Sequence, residues 1–183
     1  MKRKIFVLMI IAAIGLFYSC SNSGSKNEAE NQISIDQILQ NEDGTISLDL
    51  EKAARYSDVV NPSENTAEWN VLVSKSGRYN VWLSSSTKDT TNLRYENSVL
   101  VSIMDNRLEA RPACDKIIQN SSDVSLPYYR ADSYIGSMYI KDTGLLNIQI
   151  ISEKIMPKDY KSDGSSSIED SKLISVFLTP EKR

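Results

Sequence analysis

Any chemistry in this chain must come from aromatic rings, amides, hydroxyls and charged groups, because its 183 residues include no histidine. Histidine is the commonest general base and the commonest transition-metal ligand, so zinc centres, haem–histidine ligation and serine–histidine triads are excluded. The two cysteines are Cys20 and Cys114. A thiol without a histidine partner is a poor candidate nucleophile. Cys114 is therefore predicted to be a small, half-buried packing residue.

Trp82 is one candidate binding side chain. In the segment "GRYNVWL", strand alternation points Asn80 and Trp82 to the face opposite the apolar set. A tryptophan among polar neighbours is unusual on a sheet face unless it binds something. The sequence therefore predicts either a binding platform at Trp82 or a face that the preceding chain or a long loop covers.

A second candidate is the aromatic segment "LPYYRADSY" (126–134). Tyr128, Tyr129 and Arg130 are costly to leave loose, so they predict either a ligand-binding loop or rings that plug the end of the domain. The remaining strand-like tyrosines are predicted to pack in the interior: Tyr95, Tyr134 and Tyr139.

The first residues have the pattern of a targeting segment. Lys2, Arg3 and Lys4 precede an apolar run from Ile5 to Phe17, which at 13 residues is shorter than the roughly 20 that a spanning helix needs. The run ends in "FYSC", which resembles the lipobox of bacterial lipoproteins and implies a lipid on Cys20. We therefore expect a signal peptide (1–19), a lipidated Cys20 with a polar tether (20–44), and a folded domain (45–183). This arrangement implies a lipid-anchored protein of the cell envelope, at the outer membrane.

Composition limits the partners of the mature chain. Without residues 1–19 it keeps 18 of the 21 basic residues and all 24 acidic residues, a side-chain charge of −6. A basic surface for nucleic acid is therefore not expected. The length that remains suits one domain.

From Thr45 onward, alternating apolar segments separated by turns predict β-strands. The turns "SKSG" (74–77) and "KDTG" (141–144) predict two β-hairpins. Only "LEKAARYSD" (50–58) looks helical, and long loops are expected at 106–133 and 153–171. The pattern predicts an antiparallel β-sandwich. Its predicted core residues are Trp69, Val71, Val73, Tyr79, Val81, Leu83, Val101, Ile103, Ile140, Leu146, Ile148, Ile150, Ile174, Val176 and Leu178.

Three segments resemble a known fold. "EWNVLVSKSGRYNVWL" (68–83) resembles the paired strands of galactose-binding-like jelly rolls, "IGSMYIKDTGLLNIQI" (135–150) is similar to their later pair, and "SKLISVFLTP" (171–180) to their closing strand. The group includes the family six and family thirty-five carbohydrate-binding modules. The resemblance covers residues 45–180 and implies a jelly-roll β-sandwich that is galactose-binding-domain-like.

In such modules, a sugar often binds between aromatic rings at one end of the sandwich. The resemblance places Tyr56 as one ring, Tyr128 or Tyr129 as the other, and Asp170 or Ser171 where an asparagine usually fixes the hydroxyls. It also implies a structural calcium, for which Asp49, Glu51 and Asp170 are the candidate ligands. The alternative is that these three are ordinary surface carboxylates, and no other cofactor is expected.

Two functions remain open at this level. The first is a non-catalytic envelope lipoprotein that binds an oligo- or polysaccharide. The second is a structural or partner-binding subunit of an envelope complex without a glycan ligand. An enzyme is not expected, because no pair of acidic residues has a context that marks a glycosidase acid and nucleophile.

Overall fold

A computed structural model describes residues 37–58, 60–158 and 171–182. These residues form an all-β sandwich of two sheets, and the predicted fold class is confirmed. The predicted signal peptide, Cys20 and Asp170 lie outside the described residues. Within the described ranges, no helix has the length and apolar character that crossing a membrane requires.

The first sheet has six strands in the order β1-β4-β10-β6-β7, with β3 also pairing with β4. All its pairs are antiparallel except β1 with β4, which is parallel. Its strands are β1 (Ile38–Leu39), β3 (Ala54–Tyr56), β4 (Thr66–Val73), β6 (Val99–Ile103), β7 (Asn106–Ala110) and β10 (Gly144–Ile151).

The second sheet has five antiparallel strands in the order β2-β11-β5-β9-β8. Two 3₁₀ turns, Leu50–Lys52 and Pro62–Glu64, complete the regular structure of the described residues. The strands of this sheet are β2 (Ile46–Asp49), β5 (Gly77–Thr87), β8 (Lys116–Ile118), β9 (Tyr129–Ile140) and β11 (Ser171–Pro180).

The core lies between the sheets, where the alternation of each strand points its apolar residues. Every predicted core residue except Ile174 is buried. Trp69 is fully buried, and its Nε1 donates a hydrogen bond to the Asp49 carbonyl oxygen at 2.8 Å. This bond joins β4 of one sheet to the end of β2 in the other, so the core is connected through a polar contact as well as through packing.

Two β-bulges change which side chains face the core. In β11 the register shifts between Leu173 and Ser175, so Leu173 is buried and Ile174 is not. The prediction that Ile174 is a core residue is therefore wrong. In β9 the shift leaves Ile135 as the extra, buried residue and turns Tyr134 outward. A bulge adds one residue to one strand and so reverses the alternation beyond it.

Gly136 accommodates the β9 bulge. Its φ of +138° is a conformation that side-chain-bearing residues rarely adopt. A Cβ at this position would also lie 2.9 Å from Leu108 Cδ1 of the facing sheet. Glycine therefore permits both the backbone conformation and the close approach of β7 to β9.

Both predicted hairpins are wrong. The connection 74–76 leads from β4 in the six-stranded sheet to β5 in the five-stranded sheet, and 141–143 leads from β9 back to β10. Each connection crosses the edge of the sandwich because the apolar faces of its two strands pack against each other across the core. Turn residues alone do not distinguish such a corner from a hairpin within one sheet.

Two other segments differ from the sequence-based prediction. The helical-looking segment 50–58 forms a single 3₁₀ turn and then strand β3. Asp49 caps the turn by accepting a hydrogen bond from Glu51 N at 2.8 Å. The long loop predicted at 106–133 contains β7 and β8. Strand β7 closes a true hairpin with β6.

Gln40 fixes the start of the described chain. Its Nε2 donates to the Gly44 carbonyl oxygen and to Tyr79 Oη, both at 2.7 Å. Its Oε1 accepts from Ser74 N at 2.9 Å and from Lys75 N at 2.8 Å. One amide side chain therefore holds the β1–β2 connection against the corner between β4 and β5.

Candidate functional site

Three aromatic side chains form a row across the outer face of the five-stranded sheet. Trp82 on the central strand β5 lies directly opposite Phe177 on β11 and Tyr134 on β9. Its ring centroid is 6.1 Å from that of Phe177, with planes within 4° of parallel, and 5.2 Å from that of Tyr134, at 54°. Trp82 and Phe177 are half-buried, and Tyr134 is 45% exposed. This aromatic row (Phe177, Trp82, Tyr134) is an apolar strip that reaches solvent.

A polar row lies one step along the strands from the aromatic row. It consists of residues directly opposite one another on five neighbouring strands: Asp49, Ser175, Ser84, Asp132 and Lys116. Ser84 and Asp132 are buried, so the accessible polar groups along this side of the aromatic strip belong to Asp49, Lys116 and the half-buried Ser175.

The other side of the aromatic row is also polar. Thr179, Asn80 and Ser137 lie opposite one another on β11, β5 and β9. Tyr134 Oη donates to Asn80 Oδ1 at 3.4 Å, which connects the two rows. Asn80 and Trp82, which the sequence placed on one face, are thus neighbours on the outer surface. The ring contacts described for Trp82 are with members of its own row.

Arg130 connects the polar row to the aromatic row. Its Nε donates to Asp132 Oδ1 at 2.8 Å, its Nη1 donates to Asp123 Oδ2, and its guanidinium carbon lies 5.6 Å from the Phe177 ring centroid. Asp132 also accepts from Ser84 Oγ at 2.8 Å, and its side chain is only 5% exposed. Burial opposes the charged form of Arg130, but the hydrogen bonds and charges of Asp132 and Asp123 outweigh it and raise the pKa of the guanidinium.

A cavity of about 910 Å³ adjoins the Phe177 end of the aromatic row. Its walls are β2, β11, the loop that carries Tyr128 and the chain near Met156. Phe177, Arg130 and Lys172 contribute an aromatic ring and two cations to its lining. The aromatic row therefore opens at one end into a concave, mixed polar and apolar space.

Arg55 lines this cavity with a side chain that is only 6% exposed. Its Nε donates to the Leu50 carbonyl oxygen at 3.0 Å and its Nη1 to the Met156 carbonyl oxygen at 3.2 Å. Nη2 lies 2.8 Å from Glu51 Oε1, an ion pair without hydrogen-bond geometry. Arg55 thus ties strand β3 to the cavity wall.

The tyrosine loop contributes one ring to the site. Tyr128 lines the cavity, and Lys88 Nζ lies 5.1 Å from its ring centroid, a cation–π contact. Tyr129 begins β9 opposite Thr87 and does not line the cavity. The structure therefore brings Tyr128 and Arg130 to the cavity and leaves Tyr129 elsewhere.

Tyr56 lies on the six-stranded sheet, where it pairs with Thr66 and is exposed. Its neighbour Arg55 lines the cavity and Tyr56 does not, as strand alternation requires. The pair of sandwiching rings that the family resemblance implies, Tyr56 with Tyr128 or Tyr129, is thus not assembled around this cavity.

Two of the three candidate calcium ligands, Asp49 and Glu51, lie within the described residues. Asp49 accepts from the Glu51 backbone, and the Glu51 side chain pairs with Arg55. Asp170, the third candidate and also the candidate for fixing sugar hydroxyls, lies outside the described residues. Across residues 37–58, 60–158 and 171–182, no three metal-ligating acidic, cysteine or histidine side chains cluster.

Sequence reasoning missed two of the three aromatic residues. In "KLISVFLT", strand alternation points Phe177 to the face away from Val176 and Leu178, so the sequence contains a signal for an outward ring. Tyr134 was predicted to pack in the interior, and the bulge at Ile135 turns it outward instead. Of the other two tyrosines predicted to pack, Tyr95 is buried and Tyr139 is exposed.

Comparison with solved structures finds a similar fold in part of an α-L-fucosidase from Vibrio sp. strain EJY3. The match has a TM-score of 0.62 and 19% identity, and covers 79% of this chain and 24% of the fucosidase chain. At this identity the likeness shows the fold alone. No protein-family model matches the chain, and no curated protein sequence matches it.

Two further solved structures are less similar to this chain. A β-(1,4)-mannanase with a family 35 module from Podospora anserina has a TM-score of 0.45 and 12% identity, over 77% of this chain and 28% of its own. An insecticidal crystal protein also has a TM-score of 0.45, with 13% identity, over 78% of this chain and 22% of its own chain. The chain thus spans about a quarter of the length of each of these three structures.

Proposed function

We propose that this chain is a non-catalytic lipoprotein of the cell envelope that binds an oligo- or polysaccharide on the outer face of its five-stranded sheet. The observation that carries the proposal is the aromatic row of Phe177, Trp82 and Tyr134 with polar rows on both sides. A sugar ring has an apolar C–H face that packs on an aromatic side chain. Its rim of hydroxyls needs paired donors and acceptors, which polar side chains next to the ring provide.

The register suggests how a glycan would lie. The aromatic row crosses three strands, and neighbouring strands are about 4.8 Å apart. A short stretch of sugar chain would therefore lie across the strands rather than along them. Asn80 on one side of the aromatic row and the half-buried Ser175 on the other would face its hydroxyl rims. The cavity beyond Phe177 would receive a continuation of the chain or a branch.

The same face supports binding without hydrolysis. A glycosidase needs one carboxyl group free to protonate the leaving group and a second free to act as base or nucleophile. Asp132 is held by Arg130 and Ser84, and Asp123 is held by Arg130. These two carboxylates orient Arg130 instead of facing the aromatic row as free acids, and Asp49, the third carboxylate of this region, caps the 3₁₀ turn by accepting from Glu51 N.

The likeness to a quarter of an α-L-fucosidase chain supports the proposal at the level of fold only. Accessory β-sandwiches and unrelated functions share such folds, so the proposal depends on the side chains of the sheet face.

Lipid attachment at Cys20 and an envelope location are part of the proposal. They are supported by the charged start, the short apolar run and the "FYSC" segment. Growth with a labelled fatty acid should label the wild-type protein and leave Cys20→Ala unlabelled. An unlabelled wild type, or label that survives Cys20→Ala, would exclude the anchor.

A glycan array followed by calorimetry tests the sugar site. Trp82→Ala and Phe177→Ala should each weaken binding at least tenfold, because each removes an aromatic surface worth about 1.5–3 kcal/mol when buried. Tyr56→Ala, an exposed tyrosine on the other sheet, is the matched control and should bind normally. Loss of binding in Tyr56→Ala and Tyr128→Ala but not in Trp82→Ala would move the site to the end loops.

A protein partner is the second candidate. Aromatic residues with an arginine also characterise protein–protein interfaces, and Arg130 lies against Phe177. Under this alternative, no glycan on the array binds, and a crosslinker placed at Tyr134 captures one defined envelope protein from intact cells. Capture must then fail with Trp82→Ala for the alternative to hold.

A further inference from the structure

We infer that the opposite face of the sandwich rests on the lipid surface, through a row of exposed leucines. Leu39, Leu72 and Leu145 lie directly opposite one another on β1, β4 and β10. They are 64%, 40% and 61% exposed, whereas their strand neighbours Val71, Val73 and Leu146 are buried. This leucine row (Leu39, Leu72, Leu145) is therefore a continuous apolar strip on the outer face of the six-stranded sheet.

The chain leading to the proposed anchor ends at this strip. Sixteen residues separate Cys20 from Gln37, and Leu39 follows two positions later. Even a fully extended chain of that length spans at most about 60 Å. A domain attached in this way meets the bilayer at an effective concentration of about millimolar or above. A weak apolar contact is therefore sufficient to orient it.

The size of the leucine row favours a lipid surface over a protein partner. A specific protein interface buries about 800 Å² on each side, and three partly exposed leucine side chains supply much less. The adjoining corners carry Lys75 and Lys141, whose charges suit a phospholipid headgroup region, although Asp43 offsets Lys75 and Asp142 offsets Lys141. The contact is thus mainly apolar and shallow, with lysines at its rim.

The consequence is a defined orientation. The two outer faces of a sandwich point in opposite directions, so a leucine row on the bilayer turns the aromatic row away from it. This inference rests on the anchored location proposed above, and it adds that the sugar-binding face is presented to the side away from the membrane.

The test couples the protein to vesicles chemically, so that it does not depend on lipidation in the cell. Residues 20–183 carrying Cys114→Ser are joined through the Cys20 thiol to a maleimide phospholipid in phosphatidylethanolamine–phosphatidylglycerol vesicles. Amide hydrogen exchange is then compared with that of the vesicle-free protein. We expect exchange in the corners 74–76 and 141–143 to slow on the order of tenfold, which corresponds to burial of about one leucine.

A triple variant and a matched control complete the design. Leu39→Gln with Leu72→Gln and Leu145→Gln should abolish the slowing. Val60→Gln with Leu126→Gln and Tyr139→Gln, which also replaces three exposed apolar side chains, should leave it unchanged.

Three outcomes would overturn the inference. One is an equal exchange rate in coupled wild type and leucine variant. Another is slowing around the aromatic row instead of the corners. The third is slowing at the corners without vesicles as protein concentration rises, which would assign the leucine row to a second copy of the chain. Glycan binding by the leucine variant is measured separately. A negative result in the exchange experiment would therefore leave the proposed sugar site standing, and a negative result in glycan binding would leave the proposed orientation standing.

Discussion

The ion pair between Arg130 and Asp132 is expected to stabilise the domain more than a surface pair does. The two side chains are 21% and 5% exposed, and the pair joins at 2.8 Å between Nε and Oδ1. Replacing one partner leaves the other charge partly buried and unpaired, which is the costly case. Replacing both removes that penalty. The perturbation is therefore a double-mutant cycle of Arg130→Met and Asp132→Asn.

The expected magnitudes follow from what each variant leaves behind. Arg130→Met leaves a nearly buried carboxylate whose one remaining donor among the described residues is Ser84, and should cost about 3 kcal/mol of unfolding free energy. Asp132→Asn leaves an arginine that keeps Asp123 and some solvent, and should cost about 2 kcal/mol. The double variant no longer strands a carboxylate, so it should cost less than Arg130→Met alone, about 2 kcal/mol rather than the sum of about 5, a coupling of about 3 kcal/mol.

Urea unfolding followed by circular dichroism measures each corner of the cycle. The slope against urea should stay constant, which shows that the variants change stability and not compactness. The exposed pair of Arg78 and Glu181, 3.4 Å apart with side chains 58% and 49% exposed, is the matched control and should couple by less than about 1 kcal/mol. Additive losses at Arg130 and Asp132, within about 0.5 kcal/mol, would refute the assignment of this pair as structural support for the site.

Three further predictions concern the backbone, a phenol and a thiol. Gly136→Ala should destabilise the domain by about 2 kcal/mol, and by more than Gly77→Ala. Both glycines have a positive φ, but only at Gly136 would an added Cβ also clash with Leu108. Equal losses of unfolding free energy in urea would contradict this prediction. Burial raises the pKa of Tyr95 above 10.0, so its contribution to stability is complete below pH 10 and is lost as pH rises further. Ultraviolet titration should show one late-ionising tyrosine that disappears in Tyr95→Phe, and an unchanged curve would contradict it. Burial raises the pKa of the Cys114 thiol, and the charges of nearby carboxylates raise it further. With Cys20 replaced, Ellman's reagent should therefore react more slowly with the folded chain than with the urea-unfolded chain. Equal rates would rule this out.

The sequence predicts the core well because alternation directly encodes which side of a strand is apolar. Trp69, Val81 and Ile148 are buried as expected. Strand pairing is harder to predict, because β4 pairs with β10 and β5 with β9 and β11, all distant in the chain. A short turn between alternating strands fits a hairpin and a corner equally well. Both predicted hairpins are wrong for this reason.

The candidate site is only partly visible in the sequence because the bulge in β9 helps to form it. Trp82 lies on a regular part of β5, and its outward direction follows from alternation. Tyr134 faces outward because Ile135 is an extra residue in β9. Ser175 lies on the same face as Phe177 by regular alternation, because the β11 bulge begins only beyond it at Ile174. A bulge depends on the partner strand as well as on its own residues, so one strand's pattern does not reveal it. Gly136 is the one local sign of the first bulge.

The position of Gln40 has a mechanical consequence for a domain held by its amino-terminal end. A pull applied at Gln37 reaches the two-residue strand β1 and then the Gln40 amide, whose four main hydrogen bonds lie at or near the β4–β5 corner. The bonds to Gly44, Ser74 and Lys75 lie in connections between strands, and only the bond to the Tyr79 hydroxyl passes load directly to β5. Tension along the tether is therefore borne mainly at this edge of the sandwich, and the one direct path to the aromatic row enters β5 at Tyr79, three residues before Trp82.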